Sequence, residues 1–329
     1  MRIAILGAGA WGTALACALA GRHEITLWAR AAAHALQLHE QRTNERYLPG
    51  IVLPPSVVVT ADLAAATRFA AGGLVALATP TAALRATLQA LKAQPRLPAV
   101  LWLCKGFDRD SRMLPHEIAA AELPGHPVGP LSGPSFADEV ARGLPAALTV
   151  AGEPSFCALV TRIFHGNGLR IYSTQDVIGV EVGGAVKNVM AIATGIADAL
   201  GLGNNARAAL ITRGLAETSR LGVALGGWSG TFTGLTGLGD LILTCTGEQS
   251  RNRRIGLALG HGVALQHALA ELGHVAEGVW TAPALAARAH DAGVDMPITD
   301  AVCAVLEGRL TPRAALERLL AREPRQEGE

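Results

Sequence analysis

The first dozen residues restrict the fold more than any other stretch of the chain. Arg2 to Leu6 (RIAIL) is a short apolar run ending at Gly7, and Gly7-Ala8-Gly9-Ala10-Trp11-Gly12 leads into the helical stretch Thr13 to Ala20. This is GxGxxG between a strand and a helix. The first glycine permits a tight turn, the second lets backbone approach a pyrophosphate, and the third lets helix and strand pack closely. The free N–H groups of the helix then face the phosphate charge. Glu24 to Trp28 (EITLW) follows after a brief turn and completes a βαβ unit. The basic start, apolar run and Ala18-Leu19-Ala20 also imitate a signal peptide, but the glycine spacing argues against that reading.

Further strands are expected at Val57 to Thr60, Leu74 to Ala78, Val100 to Cys104 and Ala147 to Ala151, with helical patterns at Ala82 to Leu91 and Leu114 to Glu122. Strand alternating with helix implies a doubly wound parallel sheet with helices on both faces, and ligands bind beyond the carboxyl ends of its strands. Thr79-Pro80 and Lys105-Gly106 sit at such ends, and Gly133-Pro134-Ser135-Phe136 reads as a turn able to meet a polar ligand. At the end of the second strand, where an acidic residue would hold the ribose of NAD, stands Arg30. A guanidinium there can hold a 2′-phosphate, which favours NADPH without excluding NADH; the alternative is a solvated strand-end arginine. After Ile171 to Thr174 the strand signals nearly vanish, so two domains are expected, 1–174 and 175–329, the second all-helical with a frayed end at Arg322 to Glu329.

The helical half opens with DVIGVEVGGAVKNVMAIATGIADAL, Asp176 to Leu200, proline-free and apolar, with Lys187 near its middle. At helical spacing Lys187, Ala191, Thr194 and Asp198 share a face, with Asp176 and Val180 on the same side. Gly179, Gly183, Gly184 and Gly195 each cost a helix roughly 1 kcal/mol, which suggests close approach of a neighbouring backbone or ligand. A lysine desolvated in such a wall has its pKa lowered and can exchange a proton near neutrality. The alternatives are a lysine snorkelling to the surface, or one paired with Glu181 or Asp198. Asp240 and Thr244 lie four residues apart on an otherwise apolar segment, and Lys187 is a candidate partner for the acid. Ser250 is a plausible cap for a helix whose first turn carries Arg251, Arg253 and Arg254; cations there oppose the helix dipole unless an anion is bound among them. At least one of Arg253 and Arg254 is expected on a solvated face.

A net charge of +1 argues against bulk electrostatic binding to nucleic acid or a membrane surface, and no uninterrupted apolar window suggests membrane insertion. Cys17, Cys104, Cys157, Cys245 and Cys303 are far apart and odd in number, as expected of small hydrophobes in a reducing cytoplasm. No histidine spacing suggests a metal site.

Several long stretches, in order, carry a resemblance over nearly the whole chain: GAGAWGTALA, CKGFD, LSGPSFADEVARGLP, Asp176 through Glu217, GLGDLILTC and QSRNRRIG. With these the chain resembles the bacterial NAD(P)-dependent glycerol-3-phosphate dehydrogenases. The resemblance implies a Rossmann-type domain followed by an all-α domain of the 6-phosphogluconate-dehydrogenase-like kind. It implies reduction of dihydroxyacetone phosphate to sn-glycerol 3-phosphate by NADPH or NADH. It makes Lys187 the proton donor and acceptor at the C2 oxygen, with Lys105 beside both substrate and nicotinamide. Gly133, Ser135, Asp240, Ser250, Arg251 and Asn252 would bind the glycerol phosphate, with Asn188 and Thr244 nearby. Gly7, Gly9, Ala10, Trp11, Gly12, Arg30, Lys105, Ala137, Arg251, Val275 and Glu277 would meet the cofactor. A homodimer in the cytoplasm is the corresponding expectation. A 6-phosphogluconate-type or β-hydroxyacid dehydrogenase would be expected to show asparagine where this chain has Ala191. A non-catalytic nucleotide sensor would need neither Lys187 nor the Arg251 cluster.

Overall fold

The computed structural model describes residues 1–273 and 275–323. Its first half alternates strand and helix: β1 (Arg2–Leu6), α1 (Ala10–Leu19), β2 (Glu24–Trp28), α2 (Ala32–Gln41), the hairpin β3 (Thr43–Asn44) and β4 (Leu48–Val52), β5 (Val58–Thr60), α3 (Leu63–Phe69) and β6 (Leu74–Leu77). Then follow α4 (Leu84–Lys92), β7 (Ala99–Trp102), α5 (Pro115–Glu122), β8 (Val128–Ser132), α6 (Ala137–Ala141), β9 (Ala146–Ala151), α7 (Pro154–Phe164) and β10 (Leu169–Thr174). Eight strands form one sheet in the order β10-β9-β8-β7-β6-β1-β2-β5. The chain steps outward from β1 through β2 to β5, then jumps to β6 on the other side of β1. That reversal opens a crevice at the carboxyl ends of β1 and β6, where the glycine loop lies. Gly7, at φ +118°, is there because a side chain would strike the Ala78 backbone at 2.8 Å.

The expected all-parallel sheet needs one correction. β8 pairs antiparallel with β9, so β9 and β10, parallel to each other, run against the remaining strands. The connection from β8 to β9 carries only the five-residue α6 and folds back instead of crossing over. β8 itself escaped the sequence reading because Gly129 and Pro130 interrupt its apolar run. The hairpin, α2, α3 and α7 were not foreseen either.

The second half is helical among the described residues: α8 (Val177–Ala199), α9 (Gly203–Ala224), α10 (Ser229–Phe232), α11 (Asp240–Thr246), α12 (Arg251–Gly260), α13 (Leu265–Leu272), α14 (Glu277–Asp291), α15 (Pro297–Leu306) and α16 (Pro312–Leu320). Part of the segment expected to fray, from residue 324 on, lies outside the described residues. α8 is the axis of this half, wrapped by α9, α11, α12 and α14. By length and composition it could cross a membrane, but 83% of its most apolar window is buried inside the protein. It is a core helix. Asp176, expected on the face of Lys187, is instead its N-cap, accepting from Gly179 N–H at 2.8 Å, Trp228 N–H at 2.8 Å and the Thr231 hydroxyl at 2.5 Å. The α8 glycines mark close approaches. At Gly195 an added Cβ would lie 2.2 Å from the Arg253 carbonyl oxygen, and at Gly256 one would lie 2.1 Å from that of Ile192, so α8 and α12 cross backbone to backbone.

Candidate active site

The two halves meet over one buried carboxylate. Lys187 projects from the middle of α8 and donates to Asp240 Oδ1 at 2.5 Å, while Lys105, just past the end of β7, donates to Oδ2 at 2.7 Å. Asp240 opens α11 directly after a π-helical turn, Leu235–Gly239, which aims it back at α8. Only 1% of the Asp240 side chain is exposed, against 10% for Lys187 and 18% for Lys105, so the lysines form the open side of the cluster. Burial lowers the Lys187 pKa to about 8; Asp240 pulls it back up and the Lys105 charge pushes it further down. Burial would raise Asp240, but the charges of Lys105 and Lys187 outweigh it and hold the carboxyl below its ordinary range. Neither Glu181 nor Asp198 is the partner of Lys187. Glu181 accepts from Trp102 Nε1 at 2.9 Å and from both the backbone and ring of His116. Asp198 is held by Arg207 at 2.7 Å and by both Nε and a terminal nitrogen of Arg253.

Other expected residues extend from this cluster. Lys105 Nζ also donates to the Gly133 carbonyl at 3.2 Å, as does Ser135 Oγ at 3.0 Å. Thr244 Oγ1 donates to the Asp240 carbonyl at 2.6 Å. A chain of amides runs along the wall: Gly278 N–H to Asn252 Oδ1 at 3.0 Å, Asn252 Nδ2 to Asn188 Oδ1 at 2.9 Å, and Asn188 Nδ2 to the Lys105 carbonyl at 3.3 Å. Asn252, expected to face substrate, thus uses its side chain to tie α14 and α12 to α8. Ser250 caps α12 by accepting from Arg253 N–H at 3.2 Å, which leaves the N–H groups of Arg251 and Asn252 at the helix mouth without an intrahelical partner. Arg251 and Arg254 are both exposed there, and Arg253 is committed to Asp198.

On the cofactor side, Gly7, Gly9, Ala10, Trp11 and Gly12 form the loop between β1 and α1, and Ala137 opens α6. Trp11, Lys105, Ser135 and Ser132 line a shared recess with Leu103, Leu131 and Leu148. Glu277, first residue of α14, accepts from Thr81 N–H at 3.3 Å. Burial raises its carboxyl pKa, opposed by that bond and by the charge of Arg251. Arg30 stands exposed just beyond β2, and Val275 is 41% exposed before α14, neither drawn into the lysine cluster. Sequence reasoning passed over Ser132 and Asn44, both buried; neither sits in a motif that marks it.

Doubly wound sheet, glycine loop at the reversal of strand order, and a helical half that delivers a desolvated lysine to the crevice together define a nicotinamide-nucleotide-dependent dehydrogenase. Residues 2–158 match the model of the NAD-dependent glycerol-3-phosphate dehydrogenase N-terminus and residues 176–317 that of the C-terminus. The chain belongs to this family. It is 56% identical to the glycerol-3-phosphate dehydrogenase [NAD(P)+] of Methylibium petroleiphilum, over 100% of this chain and 99% of that protein. The crystal structure of the glycerol-3-phosphate dehydrogenase from Coxiella burnetii superposes with a TM-score of 0.94 at 42% identity, covering 98% of this chain and 99% of that one. The Saccharomyces cerevisiae glycerol-3-phosphate dehydrogenase gives 0.80 at 25% identity, covering 96% and 98%.

Proposed function

We propose that the chain is an NAD(P)-dependent glycerol-3-phosphate dehydrogenase that reduces dihydroxyacetone phosphate to sn-glycerol 3-phosphate, the backbone precursor of glycerophospholipids. The observation that carries the reading is the Lys187–Asp240–Lys105 cluster, a proton donor poised near neutrality beside a second cation, joined to the mouth of α12 by the hydrogen bond from Asn252 to Asn188, the α8 neighbour of Lys187. The glycine loop and Arg251 flank that crevice, and NAD(P)H supplies the hydride when bound. The substrate phosphate lies against Arg251 and the free N–H groups of Arg251 and Asn252, which orients C2 toward Lys187. Lys187 gives its proton to the C2 oxygen as the carbon accepts hydride, and it takes the proton back in the reverse reaction. Asp240 keeps that ammonium in place, and Lys105 adds positive charge where the oxygen becomes negative. Residues 1–174 hold the cofactor and residues 175–329 the substrate, with Glu277 and Val275 reaching back to the cofactor. Arg30 meets the 2′-phosphate of NADPH. The working form is a cytoplasmic homodimer, which light scattering would test.

The experiment is NADPH and NADH oxidation followed by absorbance with dihydroxyacetone phosphate, with a small 2-oxo acid, and with no carbonyl substrate. Turnover that depends on dihydroxyacetone phosphate is the expected result. Turnover only with the oxo acid, or cofactor binding without turnover, would replace this reading with a hydroxyacid dehydrogenase or a nucleotide sensor.

A further inference from the structure

The hairpin β3–β4 lies outside the βαβ unit, yet it reaches the nucleotide loop through one buried side chain. Asn44 Nδ2 donates to the Ala8 carbonyl at 3.0 Å and to Thr13 Oγ1 at 2.7 Å, so both of its hydrogens are used on the loop and the helix it starts. Its Oδ1 pairs with His34 Nε2 at 3.3 Å, and because an amide oxygen only accepts, His34 carries the proton there. The Ala8 carbonyl likewise only accepts, so the Asn44 amide has one possible orientation. Across the trans peptide, the Gly9 N–H points opposite to the Ala8 carbonyl, so holding one aims the other. Gly9 is the N-cap of α1 and has no side chain to cap the helix, which leaves the first-turn N–H groups for a ligand.

The hairpin is itself clamped at its base. Arg42, in the left-handed region at φ 55°, donates to the carbonyls of Pro54 and Val57, and Leu53 N–H returns to the Arg42 carbonyl at 2.7 Å. Leu48, Ile51 and Leu53 are buried in the same core as Ala8 and Ala14. A rigid support therefore stands behind Asn44.

We propose that Asn44 is a positioning residue for the pyrophosphate of NAD(P): by fixing the Ala8–Gly9 peptide and Thr13, it presets the N–H groups that receive the cofactor's phosphates. Asn44→Asp keeps the shape but turns an oxygen toward the Ala8 carbonyl. Losing a buried hydrogen-bond partner is expected to raise the Kd for NADPH, read by fluorescence titration, by about tenfold or more. ADP-ribose, which keeps the pyrophosphate and lacks nicotinamide, should lose affinity by the same factor. At saturating NADPH, kcat and the KM for dihydroxyacetone phosphate should stay within about twofold of wild type. Thr13→Val removes one of the two acceptors at constant shape and should give a smaller rise in Kd in the same direction, which keeps the test open if Asn44→Asp does not fold. The binding measurements use no substrate, so they stand apart from the assignment of the reaction. Wild-type Kd values for both ligands in the folded variants, or a fall in kcat at unchanged Kd, would overturn the proposal.

Discussion

Lys187 is pulled in opposite directions by its surroundings, and as the proposed proton carrier it would pass that balance on to the pH at which each direction of the reaction runs fastest. Burial favours the neutral amine and Asp240 favours the ammonium; the outcome, about 8, lies below the ordinary lysine value. Below that pH the side chain is charged and can donate; above it the amine can accept. Reduction of dihydroxyacetone phosphate is therefore expected to fall, and oxidation of sn-glycerol 3-phosphate to rise, as pH passes upward through about 8. Lys187→Ala should fold, bind NADPH, lose at least ~10²-fold in turnover and lose this opposed pH dependence. Initial rates in both directions from pH 6 to 10, for wild type and variant, decide it; profiles of one shape in both directions would remove Lys187 as the proton carrier. The proposed role of Arg251 lies at the other end of the substrate, where the phosphate would close over its guanidinium. Losing one partner of a desolvated charge pair typically costs ~2–5 kcal/mol, so Arg251→Ala should lower kcat/KM for dihydroxyacetone phosphate by roughly 30- to several-thousand-fold. The variant should also discriminate much less against unphosphorylated dihydroxyacetone, and an undiminished preference for the phosphorylated substrate would put the anion site elsewhere.

Among the elements, the crossing of α8 and α12 sets the distance between Lys187 and the mouth of α12. Gly195 faces the Arg253 carbonyl oxygen and the Leu257 N–H, where a Cβ would meet atoms at 2.2 and 2.9 Å. Gly195→Ala gains about 1 kcal/mol of helix propensity. Crowding between two backbones typically costs ~1–3 kcal/mol or more, so the clash wins and the variant should be less stable, with α12 pushed away from α8. Denaturant unfolding checks this, and a midpoint at or above wild type would mean that the two helices can slide apart freely. Such crossings were legible in outline, because four glycines weaken an apolar helix unless another backbone or a ligand packs against them. So were the glycine loop, Lys187 and its pairing with Asp240, since a buried acid and a buried cation in one half of a chain need each other. The reversed strands β9 and β10 were not legible, because strand direction depends on how a connection folds back. Nor was the position of Asp176 as a helix cap, which periodicity alone counted as part of a face. The partners of Asn252 depend on three helices meeting, and nothing local encodes them.

For the whole molecule, stability should carry the signature of a buried acid remote in sequence from both Lys187 and Asp240. Glu217 of α9 caps α15, accepting from Ile298 N–H at 2.7 Å and from the N–H and hydroxyl of Thr299. Burial pushes its carboxyl up to about 7 despite those bonds and the charge of Arg220. Between the unfolded value and about 7 the folded protein holds a proton that the unfolded chain has lost, so this contribution is present in mild acid and disappears as pH rises toward neutrality. Wild type should lose up to ~3 kcal/mol from this source between pH 4.5 and 7.5, and Glu217→Gln should flatten that slope. Parallel stability-versus-pH curves for the two proteins would show that Glu217 does not titrate in this window. On these predictions charge governs both the chemistry and part of the stability, but the wall of the crevice is held differently. The links from Gly278 through Asn252 and Asn188 to the Lys105 carbonyl are amide to amide, joining both halves of the chain. No member of that series gains or loses a proton in water near neutrality. If Lys187 is the proton carrier proposed above, acidity switches the lysine while these amide links stay made, so this part of the wall adds no ionisation of its own to the rate profile.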